Sequence, residues 1–171
     1  MEDKFVVDAS VALKWQFKDE LETEGALHML TDFVNGEIDL ISPSLFSYEI
    51  VNAVHIAVSR ERIPEKAGTG AINDILSLGV RLVDFGDLVE RTFKLAQTHN
   101  RSAYDCSYLA LAEKEACFLY TADKRFFNAM NGRNEHIKWI GNFCSHSGRH
   151  SRASGNPVFC QCEKSDALDS R

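Results

Sequence analysis

Four acidic side chains stand where apolar residues or plain caps would be ordinary: Asp8, Glu49, Asp105 and Asp123. Asp8 ends the apolar run Phe5-Val6-Val7. Glu49 shares a helix face with Leu45, Phe46, Ala53 and Ile56, three, four or seven positions away. An unpaired carboxylate on such a stripe is costly. Asp105 precedes Tyr108, Leu109 and Ala112, again an apolar face, and Asp123 follows the run Phe118 to Tyr120. Each acid also has a plain reading. Asp8 and Asp123 fit helix N-caps, and Ser102 to Asp105 fits a capping box with Asp in the place of Glu. Glu49 could lie at a helix edge with its carboxylate in water. Together the four point elsewhere. Carboxylates gathered in one pocket repel and take up protons unless a cation shares the site. A set of hard oxygen donors suits Mg²⁺ or Mn²⁺.

The elements that must position these acids follow from periodicity. Short apolar runs predict strands at Phe5–Val7, Leu40–Ile41, Arg81–Val83, Phe118–Tyr120 and Ile137–Ile140. Helical spacing predicts helices over 10–17, 20–35, 44–60, 64–78, 88–98, 102–115 and 124–131. In the second helix Leu21, Ala26, Leu27, Leu30 and Val34 form the expected stripe, and Gly36 stops it. Strands alternating with helices predict an α/β fold, a three-layer α/β/α sandwich around a mainly parallel sheet. In such a sheet the carboxyl ends of the strands form the ligand crevice. Asp8 and Asp123 sit at two of those ends.

The rest of the chain sets bounds. A length of 171 residues, 44% hydrophobic and 26% charged, fits one soluble globular domain. No stretch approaches the run of about 18 apolar residues that spans a bilayer. The acidic start Met1 to Lys4 is no secretory signal, so a cytoplasmic location is expected. A net charge of −6 argues against a protein that coats nucleic acid generally, and leaves room for a local basic groove. Five cysteines imply no complete disulfide framework, and Cys106 and Cys117 read as buried thiols. Composition shifts near Cys144, dividing a folded body (1–143) from a polar tail (144–171) expected to be disordered. The tail holds His146, His150, Cys160 and Cys162, which are zinc-ligand types, but Cys-x-Cys is tighter than the usual gap.

The stretches around the acids resemble the PIN-domain ribonucleases, specifically the VapC-type toxins of bacterial toxin–antitoxin pairs. They are Val6–Trp15 (VVDASVALKW), Pro43–Val54 (PSLFSYEIVNAV), Ser102–Glu113 (SAYDCSYLALAE) and Leu119–Phe126 (LYTADKRF). Order and spacing agree from about residue 4 to Ile140, and the tail has no counterpart. The resemblance implies a five-stranded PIN-like sheet. It implies a metal-binding set of Asp8, Glu49, Asp105 and Asp123, with Ser10 and Thr121 as supporting hydroxyls. It implies Mg²⁺-dependent (or Mn²⁺-dependent) hydrolysis of RNA, leaving a 3′-hydroxyl and a 5′-phosphate. The RNA would be a tRNA, an rRNA or an mRNA. The implied partners are a second copy of the chain and a small antitoxin, which would link the toxin to DNA only indirectly. No membrane partner is expected.

Lys14, Lys124 and Arg125, with Arg101, are the candidate RNA-binding cations. Tyr48 and Tyr104 flank acids and could stack a base, with core packing as their plainer role. Three rivals stand beside this reading. One is a metal-free ribonuclease using paired histidines. Another is a phospho-accepting receiver-like domain, although Asp8-Ala9-Ser10 lacks the expected pair of acids. The third is a non-catalytic PIN-like interaction module.

Overall fold

Near-continuous apolar strands need cover on both faces, and the molecule supplies it as an α/β/α sandwich. The computed structural model describes residues 3–17 and 23–145. Five strands, β1 (Asp3–Val7), β2 (Ile38–Pro43), β3 (Arg81–Val83), β4 (Phe118–Thr121) and β5 (Ile137–Trp139), form one sheet. Their order is β3-β2-β1-β4-β5, and every pairing is parallel. The helices are α1 (Ala9–Leu13), α2 (Thr23–Val34), α3 (Leu45–Ser59), α4 (Glu65–Ser77), α5 (Val89–His99), α6 (Ala103–Lys114) and α7 (Lys124–Met130). Every expected element is present, and its ends differ from expectation by a few residues. Residues 20–22 of the expected second helix lie outside the described residues, as does the expected tail from residue 146 onward with His146, His150, Cys160 and Cys162. Among the described residues no helix is long and apolar enough to cross a membrane.

The core sits on the central strands. Val6 and Val7 of β1, Leu40 and Ile41 of β2, and Leu119 of β4 are completely buried. Helix α6 is buried without a break from Cys106 to Ala112 and packs on β1, β2 and β4. A helix apolar on all sides belongs in the interior. In a parallel sheet each connecting helix runs back against the strands, so its N-terminus lies at their carboxyl edge. That geometry brings the first turns of α1, α3, α6 and α7 to one side of the molecule.

Three local expectations need correction. Helix α1 ends at Leu13, not Phe17, because Lys14, Trp15 and Gln16 bond three residues back and tighten the last turn. Helix α2 buries Gly25, Ala26, Met29 and Asp32, while Val34 of the expected stripe is 66% exposed. The face is chosen by close approach. A Cβ on Gly25 would come within 2.1 Å of the Ile140 carbonyl oxygen, so only glycine lets the two backbones meet. Gly25→Ala is therefore expected to cost about 3 kcal/mol, read as a lower urea midpoint. An unchanged midpoint would show that the helix can shift aside.

In α3 the buried residues are Phe46, Ile50, Val54 and Ala57. Glu49 flanks that stripe, half-buried, and does not lie on it. Ile56, expected on its face, is exposed.

Candidate active site

The chain leaves β1 toward β2 and β3, then returns to lay β4 on the other side of β1. The order in which strands are added reverses between β1 and β4, and the crevice at such a switch point is where parallel α/β sheets bind ligands. Asp8 follows β1 directly and Asp123 lies two residues beyond β4.

A set of short bonds joins these strand ends. The Asp8 amide donates to the Tyr120 carbonyl at 3.1 Å. Thr121 Oγ1 donates to Asp8 Oδ2 at 2.6 Å and accepts from the Asp123 amide at 3.0 Å. Ser10 Oγ accepts from the Ala122 amide at 3.0 Å and lies 3.5 Å from Thr121 Oγ1. Ser10 and Thr121 thus clamp the two loops that carry Asp8 and Asp123. Thr121 is completely buried. Thr121→Val keeps its shape and deletes both bonds, with an expected cost of about 2 kcal/mol in chemical denaturation. Stability equal to wild type would mean that the clamp is idle.

The plain capping readings of Asp8 and Asp123 are correct as geometry. Asp8 Oδ1 accepts from the Ser10 amide at 3.1 Å, and Asp123 Oδ1 accepts from the Arg125 and Phe126 amides at 2.8 and 3.0 Å. Capping occupies one oxygen of each carboxylate. At α6 the cap bond runs from the Tyr104 amide to Ser102 Oγ at 3.1 Å, so Ser102 caps without the Asp105 amide.

Glu49 and Asp105 complete the group. Three of these acids feel a neighbour's charge: Glu49 that of Asp8 and Asp105, Asp105 that of Asp8 and Asp123, and Asp8 that of Asp123. Burial, then this repulsion, raises the Glu49 carboxyl to about 7 even though the Tyr108 hydroxyl holds its charged form. The same two causes raise Asp105 to about 6, with Arg101 opposing. Burial also raises Asp8, against the bonds from Thr121 and Ser10.

The donors suit a hard divalent ion, since ionised carboxylates accept only and their repulsion is what a cation relieves. The grip is not preformed: among the described residues no group of three or more His, Cys, Asp or Glu side chains stands in metal-holding geometry.

Arg101, Asp105, Asp123 and Arg125 line a pocket of about 270 Å³ at this edge. Lys124 and Arg125 are exposed beside Asp123. Lys14 departs from expectation: it is only 7% exposed and already engaged within the protein, so it is not a free surface cation. Tyr48 and Tyr104 depart the other way. They are 76% and 65% exposed, so neither packs in the core. Tyr108 was expected only as an apolar neighbour of Asp105, yet its hydroxyl bonds Glu49 Oε2. A wider hollow of about 700 Å³ opens at the amino end of β5. There Arg91 pairs with Glu113 at 2.5 and 2.9 Å, and Asn134 donates to Glu113 at 2.8 Å.

The PIN domain family model matches residues 5–131. The chain belongs to the PIN-domain family, among the VapC-type proteins. This PIN domain is 33% identical over 124 residues to Ribonuclease VapC9 of Mycobacterium tuberculosis, covering 70% of this chain and 86% of that one. It is 31% identical over 99 residues to Ribonuclease VapC12 of the same species, covering 58% and 74%. The crystal structure of PAE2754 from Pyrobaculum aerophilum shares the fold, with a TM-score of 0.58 at 19% identity over 82% of this chain and 92% of that one. The matched family segment contains all four acids together with Ser10 and Thr121.

Proposed function

We propose that this PIN domain is a divalent-metal-dependent endoribonuclease and the toxin of a toxin–antitoxin pair. The observation that carries the reading is the convergence of acids from separate parts of the chain at one switch point: Thr121 joins Asp8 to the Asp123 amide, Asp123 shares a pocket with Asp105, and Glu49 feels the charge of Asp8 and Asp105. The ribonuclease names of its relatives support it.

Asp8, Glu49, Asp105 and Asp123 would hold one or two Mg²⁺ or Mn²⁺ ions, which supply charge to polarise the scissile phosphate and acidify a water. Asp8 and Asp105 would be the direct ligands. Asp123 offers the oxygen that capping leaves over. Glu49, anchored through Oε2, would offer Oε1 to the cation or to the attacking water. Ser10 and Thr121 hold the two loops in register. Arg101 and Arg125, in the same pocket as two acids, draw the RNA backbone toward them, and Lys124 adds charge beside them. Tyr48 and Tyr104, exposed next to Glu49 and Asp105, are free to stack unpaired bases. In-line attack by water leaves a 3′-hydroxyl and a 5′-phosphate on a tRNA, rRNA or mRNA target.

The same acidic cleft suits a basic side chain from a small antitoxin, which would be the only link to DNA. A homodimer and a cytoplasmic location belong to this proposal. The test is sequencing of RNA ends after brief expression of wild type and Asp105→Asn, with purified protein assayed with and without EDTA. Discrete cuts confined to wild type and abolished by EDTA are expected. Equal cutting by both proteins, or cutting that survives EDTA, overturns the reading.

A further inference from the structure

Glu49 in α3 and Tyr108 in α6 are 59 positions apart, yet the Tyr108 hydroxyl donates to Glu49 Oε2. Tyr108 is 2% exposed and belongs to the central apolar cluster, so packing fixes the ring and hence the hydroxyl. A buried phenol needs a partner, and this one has a half-buried carboxylate. The backbone amide of Ala9, next to Asp8, interacts with the same phenol oxygen. Asp105 lies three residues before Tyr108 in α6. One rigid ring is therefore tied to the segments that carry Asp8, Glu49 and Asp105. Glu49 itself has three rotatable bonds and no packing of its own on the buried stripe of α3. Without the phenol it would sample several rotamers, and an arriving cation would have to order it.

We propose that Tyr108 is a positioning residue, which holds Glu49 by Oε2 so that Oε1 is the oxygen available to the cation. The proposal rests on Glu49 belonging to the cation site. The test is calorimetric titration of Mn²⁺ into the full-length metal-free protein, comparing wild type, Tyr108→Phe, Glu49→Gln and the double variant. Phenylalanine keeps the ring, and a melting curve for each variant verifies the fold.

Tyr108→Phe is expected to weaken Mn²⁺ binding about tenfold, the usual scale for a group that orients a ligand. Glu49→Gln should weaken it at least as much, and the double variant no further. Glu49→Asp, whose shorter arm withdraws from the phenol, should also lose about tenfold. Wild-type affinity in Tyr108→Phe overturns the proposal. So does an equal loss from Tyr108→Phe in both backgrounds, the mark of a merely structural ring. If Glu49→Gln binds like wild type, or wild type binds no Mn²⁺, the site reading itself fails and takes this proposal with it.

Discussion

Asp8→Asn is expected to lower RNA cleavage by at least about 100-fold while the protein stays folded. Asparagine is as good an N-cap as aspartate, so its Oδ1 can still accept from the Ser10 amide that Asp8 Oδ1 now holds at 3.1 Å. Its amide nitrogen can donate to Thr121 Oγ1 in place of the 2.6 Å bond that Thr121 now donates. The substitution removes a charge from a group that repels itself, so the melting midpoint should stay level or rise slightly. What disappears is an anionic donor at the centre of the cleft, the acid whose charge both Glu49 and Asp105 feel. Single-turnover cleavage of a labelled RNA, beside a melting curve, reads both effects. Cleavage within tenfold of wild type, from a folded variant, would reduce Asp8 to a helix cap.

The metal-free protein is expected to lose stability as pH rises from about 4 to about 7. Glu49 is raised to about 7 from an ordinary 4.5, and Asp105 to about 6 from 3.8. A carboxyl with a higher pKa in the folded state binds protons more tightly folded than unfolded. Stability is then full below the unfolded value, falls as pH climbs through the window, and is level above the folded value. Both groups are part-exposed, so solvent screening cuts the effect to about 2 kcal/mol for the pair. For a chain of this size that is about 6 °C in melting midpoint. Saturating Mg²⁺ near neutral pH should recover it, since a cation bound only to the folded state relieves the same repulsion. Melting curves in EDTA across the window, for wild type and Glu49→Gln, separate these groups from the rest of the protein's titration. The variant should fall less with pH and gain less from Mg²⁺. Identical curves for the two proteins would refute the raised Glu49 carboxyl.

Much of the fold was legible along the chain because its signals are local. Apolar runs marked all five strands, and Gly36 and Gly79, both at positive φ, mark the stops beyond α2 and α4. What failed depended on neighbours distant in sequence. The buried face of α2 is set by Gly25 against Ile140, and a glycine adds nothing to a hydrophobic pattern. Glu49 seemed to share a face with Ile56, but three- and four-residue spacings define neighbouring faces only loosely until a partner surface selects one. Tyr108 reads as one more apolar residue of α6. Its hydroxyl acquires a role only because α3 packs where it does.

Residue order alone singles out the reactive side chains and sets each at a strand end or in the early turns of a helix, since cap, period and composition act over a few residues. Which of them meet depends on how the chain packs. Thr121 reaches Asp8 across 113 positions, and Tyr108 reaches Glu49 across 59. Those encounters arise from the order of the parallel strands and the burial of α6, and packing of that kind leaves no local trace in the chain.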